Sequence, residues 1–202
     1  YGRIANEFAS SRQRPWQEFA IIKKYLKPDC KLLDAGCVNG RLDHYLKNES
    51  IKYIGTDNSK PLLEIARKEN PGMQFKFGDV AKLPFPADSF DVVCCVAVLH
   101  HLPGAKLQLK ALRELKRVLT KNGVLIITVW NLWQKKYRKY IDRKTNESLI
   151  PWGADKKVRR FYHAFTKVEL KKLIKKAGFS KIIDASTGRN HVFITNNKGS
   201  AQ

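Results

Sequence analysis

The chain has 202 residues, of which 43% are hydrophobic and 28% are charged, a composition typical of a globular protein with a sizeable core. No apolar run reaches the roughly 18 residues of a membrane span, and the N-terminus lacks the apolar stretch of a secretion signal. We therefore expect a cytoplasmic protein that does not associate with a membrane. The cysteines, Cys30, Cys37, Cys94 and Cys95, have no C-x-x-C spacing, so we expect neither a disulfide framework nor a bound metal.

Positive charge is concentrated in the second half of the chain. Residues 1–102 carry 15 basic and 12 acidic side chains, whereas residues 103–202 carry 24 basic and 6 acidic ones. Such a field attracts polyanions, among which nucleic acid is the commonest. A lysine-rich surface that serves only solubility is the alternative. The segregation of the charge and its mixture with aromatic residues favour the polyanion interpretation.

Strand-like and helix-like segments alternate along the chain. After a helix at about Gln17 to Leu26, strands are predicted at Leu32–Ala35, Tyr53–Asp57, Met73–Phe77, Phe90–Leu99 and Val124–Trp130. A helix before the last of these strands is predicted to end in a left-handed cap at Lys121-Asn122-Gly123. Thr166 and Glu169 have the spacing of a capping box that opens a further helix, which Gly178 closes. The alternation indicates an α/β fold, with a mostly parallel sheet covered by helices on both faces.

Two segments depart from this alternation within what we interpret as a single domain over residues 1–202. The first is a leader over residues 1–29. The second is an insertion over residues 131–163, in which 10 basic and 3 acidic residues are mixed with six aromatic ones. Because inserted loops on a rigid sheet often carry substrate recognition, we expect this insertion to lie on the substrate side.

Glycines and carboxylates mark the ends of the first three predicted strands. Gly36 and Gly40 lie in the turn after the first strand, where glycine lets the backbone approach a ligand. Asp57 ends the second strand and is suited to ribose hydroxyls, and Asp79 ends the third and is suited to an adenine amino group. Each aspartate alone is consistent with a cap or a turn. Together they indicate a nucleoside-containing cofactor, and no G-K-[ST] motif supports phosphate binding.

The order of these motifs resembles the class I S-adenosylmethionine-dependent methyltransferases. The resemblance rests on D-A-G-C-V-N-G at 34–40, G-T-D at 55–57, G-D-V at 78–80 and the run over 90–102. Further motifs, Arg14-Pro-Trp16, Val129-Trp130, Pro151-Trp152 and Arg160-Phe-Tyr-His163, resemble the tRNA wobble-uridine carboxymethyl methyltransferases, which include a domain fused to an AlkB-like dioxygenase in animals. The resemblance implies a Rossmann-like seven-stranded sheet, S-adenosylmethionine as cofactor, and tRNA as the partner whose carboxymethyl group becomes a methyl ester.

The resemblance also implies a set of cofactor-binding residues. Transferred position by position, they are Arg12, Gly36, Cys37, Gly40, Asp57, Asn58, Asp79, Val80, Val96 and Ala97. Val38 departs from the family, which has a glycine there, and a branched side chain is ill suited to a positive φ. Either the turn has adjusted to Val38 or the affinity for the cofactor is reduced.

The implied reaction needs a clamp for an anion. A carboxylate is already ionised near neutral pH, so methyl transfer to it requires orientation and not a general base. We predict that Arg160, Tyr162 and His163 form this catalytic clamp. The alternatives are that Arg160 is a solvated charge, Tyr162 a packed aromatic and His163 a turn residue. The predicted substrate- and RNA-binding residues are Arg14, Trp16, His101, Lys135, Lys136, Arg138, Lys139 and Trp152.

Two other functions remain open from the sequence. A small-molecule methyltransferase of the quinone or polyketide type shares every cofactor motif but has no need of the basic half. An RNA-binding module on a methyltransferase scaffold that has lost activity is consistent with Val38. The resemblance further implies that a small zinc-bearing protein, which pairs with the sheet edge in eukaryotic members, is a possible activating partner.

Overall fold

The computed structural model of the protein describes Glu7 and residues 15–153 and 156–197. In these ranges no helix combines the length and the apolar character that crossing a membrane requires. Arg12 and Arg14, which the sequence places in the cofactor and RNA sites, lie outside the described residues.

A seven-stranded sheet forms the centre of the fold. Its strands are β1 (Lys31–Ala35), β2 (Lys52–Asp57), β3 (Gln74–Phe77), β4 (Phe90–Val96), β5 (Leu119–Trp130), β9 (Ile182–Asp184) and β10 (Asn190–Asn196), in the order β3-β2-β1-β4-β5-β10-β9. Neighbouring strands among β1 to β5 pair in parallel, whereas β10 pairs antiparallel with both β5 and β9. The predicted α/β architecture with a seven-stranded, mostly parallel sheet is confirmed.

Helices cover both faces of this sheet. The helices α1 (Gln17–Lys23), α2 (Arg41–Leu46) and α3 (Lys60–Glu69) pack on one face, and α4 (Ala105–Val118) and α5 (Lys167–Lys176) pack on the other. The adjacent residues Cys94 and Cys95 belong to the two different cores, because successive side chains of a strand point to opposite faces. Helix α1 ends at Lys23, three residues earlier than predicted.

The segment predicted as an insertion contains a small antiparallel sheet. This sheet has the order β6-β7-β8, formed by β6 (Ile141–Asp142), β7 (Glu147–Trp152) and β8 (Val158–His163). Ile141, Ile150 and Tyr162 form a separate buried cluster, against which Trp130 at the end of β5 packs. The insertion is therefore anchored at the edge of the main sheet where the parallel strands end.

The helix boundaries test three local predictions. In α5, the Glu169 amide donates to the Thr166 hydroxyl over 3.1 Å and the Thr166 amide donates to the Glu169 carboxylate over 3.4 Å, so the capping box is confirmed. Gly178 follows this helix with a φ of 95°. The predicted left-handed cap at Gly123 is wrong, because α4 ends at Val118 and β5 begins at the next residue. A Cβ on Gly123 would approach the Leu119 side chain to 2.7 Å, so glycine serves close packing there.

Strand β4 is shorter than its apolar run predicts. It ends at Val96, because Ala97 adopts a φ of 56° and donates its amide to the Thr128 carbonyl over 3.0 Å. The chain then turns into a short 3-10 helix, Leu99–His101. This break directs His101 away from the sheet and toward the second, smaller sheet.

Candidate active site

A cavity of about 230 Å³ opens where β1, β2 and β4 end. Parallel neighbours bring their carboxyl ends to one edge of the sheet, and ligands of open α/β sheets bind in the crevice outside those ends. Seven of the predicted cofactor-binding residues line the cavity: Gly36, Cys37, Asp57, Asn58, Val80, Val96 and Ala97. Three residues predicted for the substrate or for catalysis line the same cavity, namely Trp16, His101 and Arg160.

The turn after β1 folds back onto the end of β2. The amides of Gly36 and Cys37 donate to the Thr56 carbonyl over 2.7 and 2.9 Å, and the Val38 amide donates to the Asp57 carboxylate over 3.1 Å. Gly36 and Val38 both have positive φ, 91° and 56°. The turn therefore keeps a left-handed backbone at Val38, despite the cost of this conformation for a branched side chain.

The Val38 side chain takes part in a small apolar cluster. Val38, Ile65 and Trp152 are partly buried and pack against the fully buried Leu62 of α3. This packing gives the valine a contact that glycine lacks. It also connects Trp152, at the end of β7, with the helix beside the cofactor turn, although Trp152 itself does not line the cavity.

Two buried carboxylates lie against the cavity. Asp57 accepts the Val38 amide with one oxygen and the Ser59 amide, over 2.9 Å, with the other. Asp34, at the end of β1, accepts the Tyr53 hydroxyl over 2.9 Å with one oxygen, and its other oxygen has no hydrogen-bond partner within the described part of the chain. Burial raises the pKa of Asp34 to about 7, the Tyr53 hydroxyl opposes this rise, and the nearby Asp57 adds to it. Burial also raises the pKa of Asp57.

A cationic and aromatic group forms the other side of the cavity. The Arg160 guanidinium lies 2.8 Å from Nε2 of His101 and over the ring of Tyr162, at 5.3 Å from its centre. Nδ1 of His101 lies 2.9 Å from the Phe161 carbonyl. A carbonyl only accepts and a guanidinium only donates, so His101 must be neutral, with its proton on Nδ1. In this form His101 holds the guanidinium through its unprotonated Nε2.

His100 supports this group from the core. Its Nδ1 accepts the Trp130 amide over 3.2 Å, and its ring stacks on Tyr162 at 5.4 Å between centroids. Burial, with the nearby positive charge of Arg160 adding to it, holds the pKa of His100 well below its usual range. His100 is therefore neutral, and Arg160 is the permanent charge of this group.

Several predicted residues lie outside the cavity. The Asp79 side chain is exposed and accepts the Ala81 amide over 2.7 Å, while its neighbours Gly78 and Val80 line the cavity. Gly40 has a φ of 78°, and a Cβ there would approach the Asn70 side chain to 2.6 Å, so it serves helix–strand packing. The four residues predicted to contact RNA in the insertion, Lys135, Lys136, Arg138 and Lys139, are exposed and lie beside the small sheet.

The predicted clamp is brought together only in part. Tyr162 is buried, with 1% of its surface exposed, and supports Arg160 from behind instead of lining the cavity. Nε2 of His163 lies 2.6 Å from the Glu169 carboxylate at the start of α5, so the structure does not bring His163 into the cavity. Successive side chains of a strand point to alternate faces, so Arg160 and His163 of β8, three positions apart, point to opposite faces. This alternation is the sequence signal that distinguishes the two residues.

Sequence reasoning did not single out some of the residues that line the cavity. Asp34 and Arg41 flank the glycine turn, and Asn39 lies within it. The Arg41 guanidinium lies over the Trp16 ring at 4.5 Å. The signal for Asp34 was present in the sequence, since an aspartate within an apolar strand is buried beside the turn that follows it. No local signal marks Arg41, because its role depends on the position of Trp16 in a distant segment.

Replacing Asp34 with an uncharged residue tests whether its pKa is raised in the folded protein. The pKa of Asp34 is higher in the folded protein than in the unfolded chain. Between about pH 4 and pH 7 the folded state therefore keeps a proton on Asp34 that the unfolded state has lost. The free energy of unfolding consequently falls as the pH rises through this window. Asp34→Asn should raise the free energy of unfolding on the order of 2 to 4 kcal/mol at pH 8 and much less at pH 4. Urea unfolding of both proteins at the two pH values measures this, and an equal effect at both would contradict the raised pKa.

The sequence was also compared with known proteins. A model of the family described as "Methyltransferase domain" matches residues 33–127. A protein of Encephalitozoon cuniculi that carries the name of a methyltransferase is 32% identical over 96% of this chain and 90% of its own length. A protein of Schizosaccharomyces pombe named tRNA (carboxymethyluridine(34)-5-O)-methyltransferase is 28% identical over 89% of this chain and 86% of its own length.

Solved structures have the same fold. A SAM-dependent methyltransferase from Thermotoga maritima is 25% identical, with a TM-score of 0.71 over 98% of both chains. The methyltransferase in a complex with the Trm112 methyltransferase activator of Haloferax volcanii is 14% identical, with a TM-score of 0.69 over 97% of this chain and 96% of that one. With its strand order and the cavity at its strand ends, the chain belongs to the class I S-adenosylmethionine-dependent methyltransferases.

Proposed function

We propose that the protein transfers the methyl group of S-adenosylmethionine to the carboxymethyl group of a modified wobble uridine in tRNA, which gives the methyl ester. The names of relatives support this substrate, since the protein of Schizosaccharomyces pombe is named for that reaction. The observation that carries the proposal is the position of Arg160, a buried cation for an anionic acceptor, in the cavity that the cofactor turn also lines.

The residues present fit the cofactor. Asp34 lines the cavity, and one of its buried oxygens has no hydrogen-bond partner within the described residues, so this carboxyl suits a ligand that brings positive charge or hydrogen-bond donors. When bound, S-adenosylmethionine supplies an electrophilic methyl group on a positively charged sulfur. In this proposal the glycine turn with Cys37 holds the methionine end, Asp57 and Asn58 hold the ribose, and Val80 borders the adenine.

Arg160 binds and orients the substrate carboxylate. A guanidinium has its donors in a planar fork that matches the two oxygens of a carboxylate. His101 accepts from one nitrogen of Arg160, and Tyr162 supports the plane of the guanidinium, so the fork is held before the substrate arrives. Such preorganisation would fix the direction from which the carboxylate oxygen approaches the methyl donor.

No residue of this chain has to remove a proton in this reaction. When bound, S-adenosylmethionine would supply the methyl group, and the substrate would supply a carboxylate oxygen that is already ionised. Nε2 of His101 is occupied by Arg160, and Nδ1 of His100 is occupied by the Trp130 amide. These nitrogens are therefore not available to accept a proton from the substrate, and both histidines serve to position Arg160 and Tyr162.

An activating protein subunit belongs to the proposal as a possible partner. It is supported by the Haloferax volcanii structure, whose methyltransferase is in a complex with an activator. Strands β3 and β9 are the outermost strands of the main sheet and expose Phe77 and Ile183, respectively. A partner strand that pairs with either edge would cover such an apolar side chain.

Mass spectrometry of tRNA nucleosides tests the proposed function. tRNA that carries the carboxymethyl group is incubated with the protein and labelled cofactor, with the activating subunit added in a parallel reaction. We expect a labelled, base-labile ester on the wobble uridine, and no product on tRNA that lacks the carboxymethyl group. Cofactor binding without any transfer to tRNA under either condition would favour a small-molecule methyltransferase or an RNA-binding module without activity.

Two aspartates that both accept backbone amides form a matched pair for the ribose assignment. Asp57 lines the cavity, whereas Asp79 does not. Asp57→Ala should weaken the binding of S-adenosylmethionine by roughly 1–3 kcal/mol, because a ligand hydroxyl loses its charged acceptor. Asp79→Ala should change it by less. Calorimetric titration of both folded variants measures this, and unchanged affinity in Asp57→Ala refutes the assignment.

Val38 provides a test of the cofactor turn. Val38→Gly relieves a positive φ that costs on the order of 1–3 kcal/mol, and it removes a packing contact with Leu62. We expect this variant to fold and to bind the cofactor with equal or higher affinity. Val38→Ala loses packing but keeps a Cβ at positive φ, so it should be less stable than Val38→Gly. Weaker cofactor binding by Val38→Gly would show that the valine side chain supports the turn.

Neighbouring arginines of β8 form the matched pair for the carboxylate clamp. Arg160 lines the cavity, whereas Arg159 is exposed on the opposite face of the strand. Arg160→Ala should lower the single-turnover rate of methyl transfer roughly 100-fold and change tRNA affinity little, since the lost contact orients the nucleophile. Arg159→Ala should leave the rate unchanged. Equal rates in the two variants would exclude the clamp.

A further inference from the structure

The two helical faces of the main sheet differ sharply in charge. The three helices on one face, α1, α2 and α3, contain five basic and four acidic residues. The two helices on the other face, α4 and α5, contain ten basic and two acidic residues over nearly the same length. These two helices thus contribute a net charge of +8 to the second half of the sequence, and the insertion contributes a further +7.

The acidic residues of α4 and α5 are already engaged. Glu114 accepts two nitrogens of Arg117 over 2.7 and 2.8 Å, and Glu169 binds His163 and caps its own helix. Arg117 is thus paired, and Lys167 pairs with Asp184 over 3.0 Å. The other eight of the ten basic residues are here called the basic face: Lys106, Lys110, Arg113, Lys116, Lys171, Lys172, Lys175 and Lys176. In residues 15–153 and 156–197, none of these eight forms an ion pair with a carboxylate.

The basic face is one continuous surface. Helices α4 and α5 pack beside each other, and the Lys116 ammonium of α4 donates to the Gly178 carbonyl just after α5. The same ammonium lies 5.3 Å from the centre of the Phe179 ring. Helix α4 has 14 residues and so runs for roughly 20 Å. This length matches several successive phosphates of a nucleic acid strand.

We infer that the basic face binds the phosphate backbone of RNA, as a second contact surface for the tRNA of the proposed function, on which this inference rests. Lysine and arginine on exposed helices contact phosphates without reading bases, so such a surface adds affinity and orientation but no sequence specificity. A lipid surface is less well matched, because peripheral helices insert apolar side chains. Leu112, Leu115, Leu170 and Ile174 of these helices are fully buried in the core, and among the described residues Val168 is the only exposed large apolar side chain of the two helices.

Replacing four lysines on each face tests this inference with equal changes in charge. The first variant carries Lys110→Gln, Lys171→Gln, Lys172→Gln and Lys175→Gln. The control carries Lys24→Gln, Lys47→Gln, Lys60→Gln and Lys68→Gln, which are exposed on the side of α1, α2 and α3. The affinity for tRNA without wobble modification is measured at several salt concentrations, and cofactor affinity is measured alongside.

A plot of log affinity against log salt has a negative slope, and the basic-face variant should make this slope less steep by about 3, since each lost phosphate contact removes roughly 0.7 to 0.9 from its magnitude. The control should change the slope by less than 1, and both variants should keep the parent affinity for S-adenosylmethionine. Equal slopes for the two variants would overturn the inference, because net charge alone would then explain the effect. Loss of binding to phosphatidylserine vesicles with tRNA binding intact would overturn it in favour of a membrane surface. Because binding is measured on unmodified tRNA, failure to form the ester would refute only the proposed reaction.

Discussion

The candidate active site depends on the contact between the turn after β1 and the end of β2. The Asp57 carboxylate accepts the Val38 amide, while the Thr56 carbonyl accepts the amides of Gly36 and Cys37. These bonds hold a left-handed backbone in a turn that has a valine where the family has glycine. Because β1 lies between β2 and β4, the same contact fixes the relative positions of three strand ends and of the cavity between them. A shift of this turn would displace every residue assigned to the cofactor.

The small sheet places a buried cation opposite this turn. Arg160 is held by neutral His101, and His101 is in turn held by the Phe161 carbonyl, so orientation is transmitted from the backbone of β8 to the guanidinium. A low-dielectric site strengthens the attraction between such a cation and an incoming carboxylate. Asp34 lines the same cavity and has a buried carboxylate oxygen without a hydrogen-bond partner among the described residues. The cavity thus has the carboxyl groups of Asp34 and Asp57 beside the turn assigned to the cofactor, and the guanidinium of Arg160 is assigned to the acceptor.

The cofactor side could be predicted from the sequence because its residues follow strands in a fixed order. Gly36, Asp57 and Val80 come directly after apolar runs, and parallel strands bring such positions together at one edge. The acceptor side could be predicted only in part. Arg160 belongs to a strand whose face is set by pairing with β7 and by the position of Trp130 at the end of β5, and these are long-range contacts. The contiguous motif predicts that His163 joins Arg160 in the clamp, but the strand directs the side chains of these two residues to opposite faces.

In the proposed reaction, orientation by a fixed cation, and not proton removal, drives methyl transfer to a carboxylate. The most direct measurement is the single-turnover rate at saturating cofactor and tRNA as a function of pH. For Asp34→Asn, which lacks the cavity carboxyl that titrates near pH 7, we expect a rate that stays constant between about pH 6 and pH 9, because the substrate carboxylate is ionised and the guanidinium is charged throughout this range. A rate of this variant that rises through a single ionisation near neutral pH would contradict this expectation, because the reaction would then require a general base.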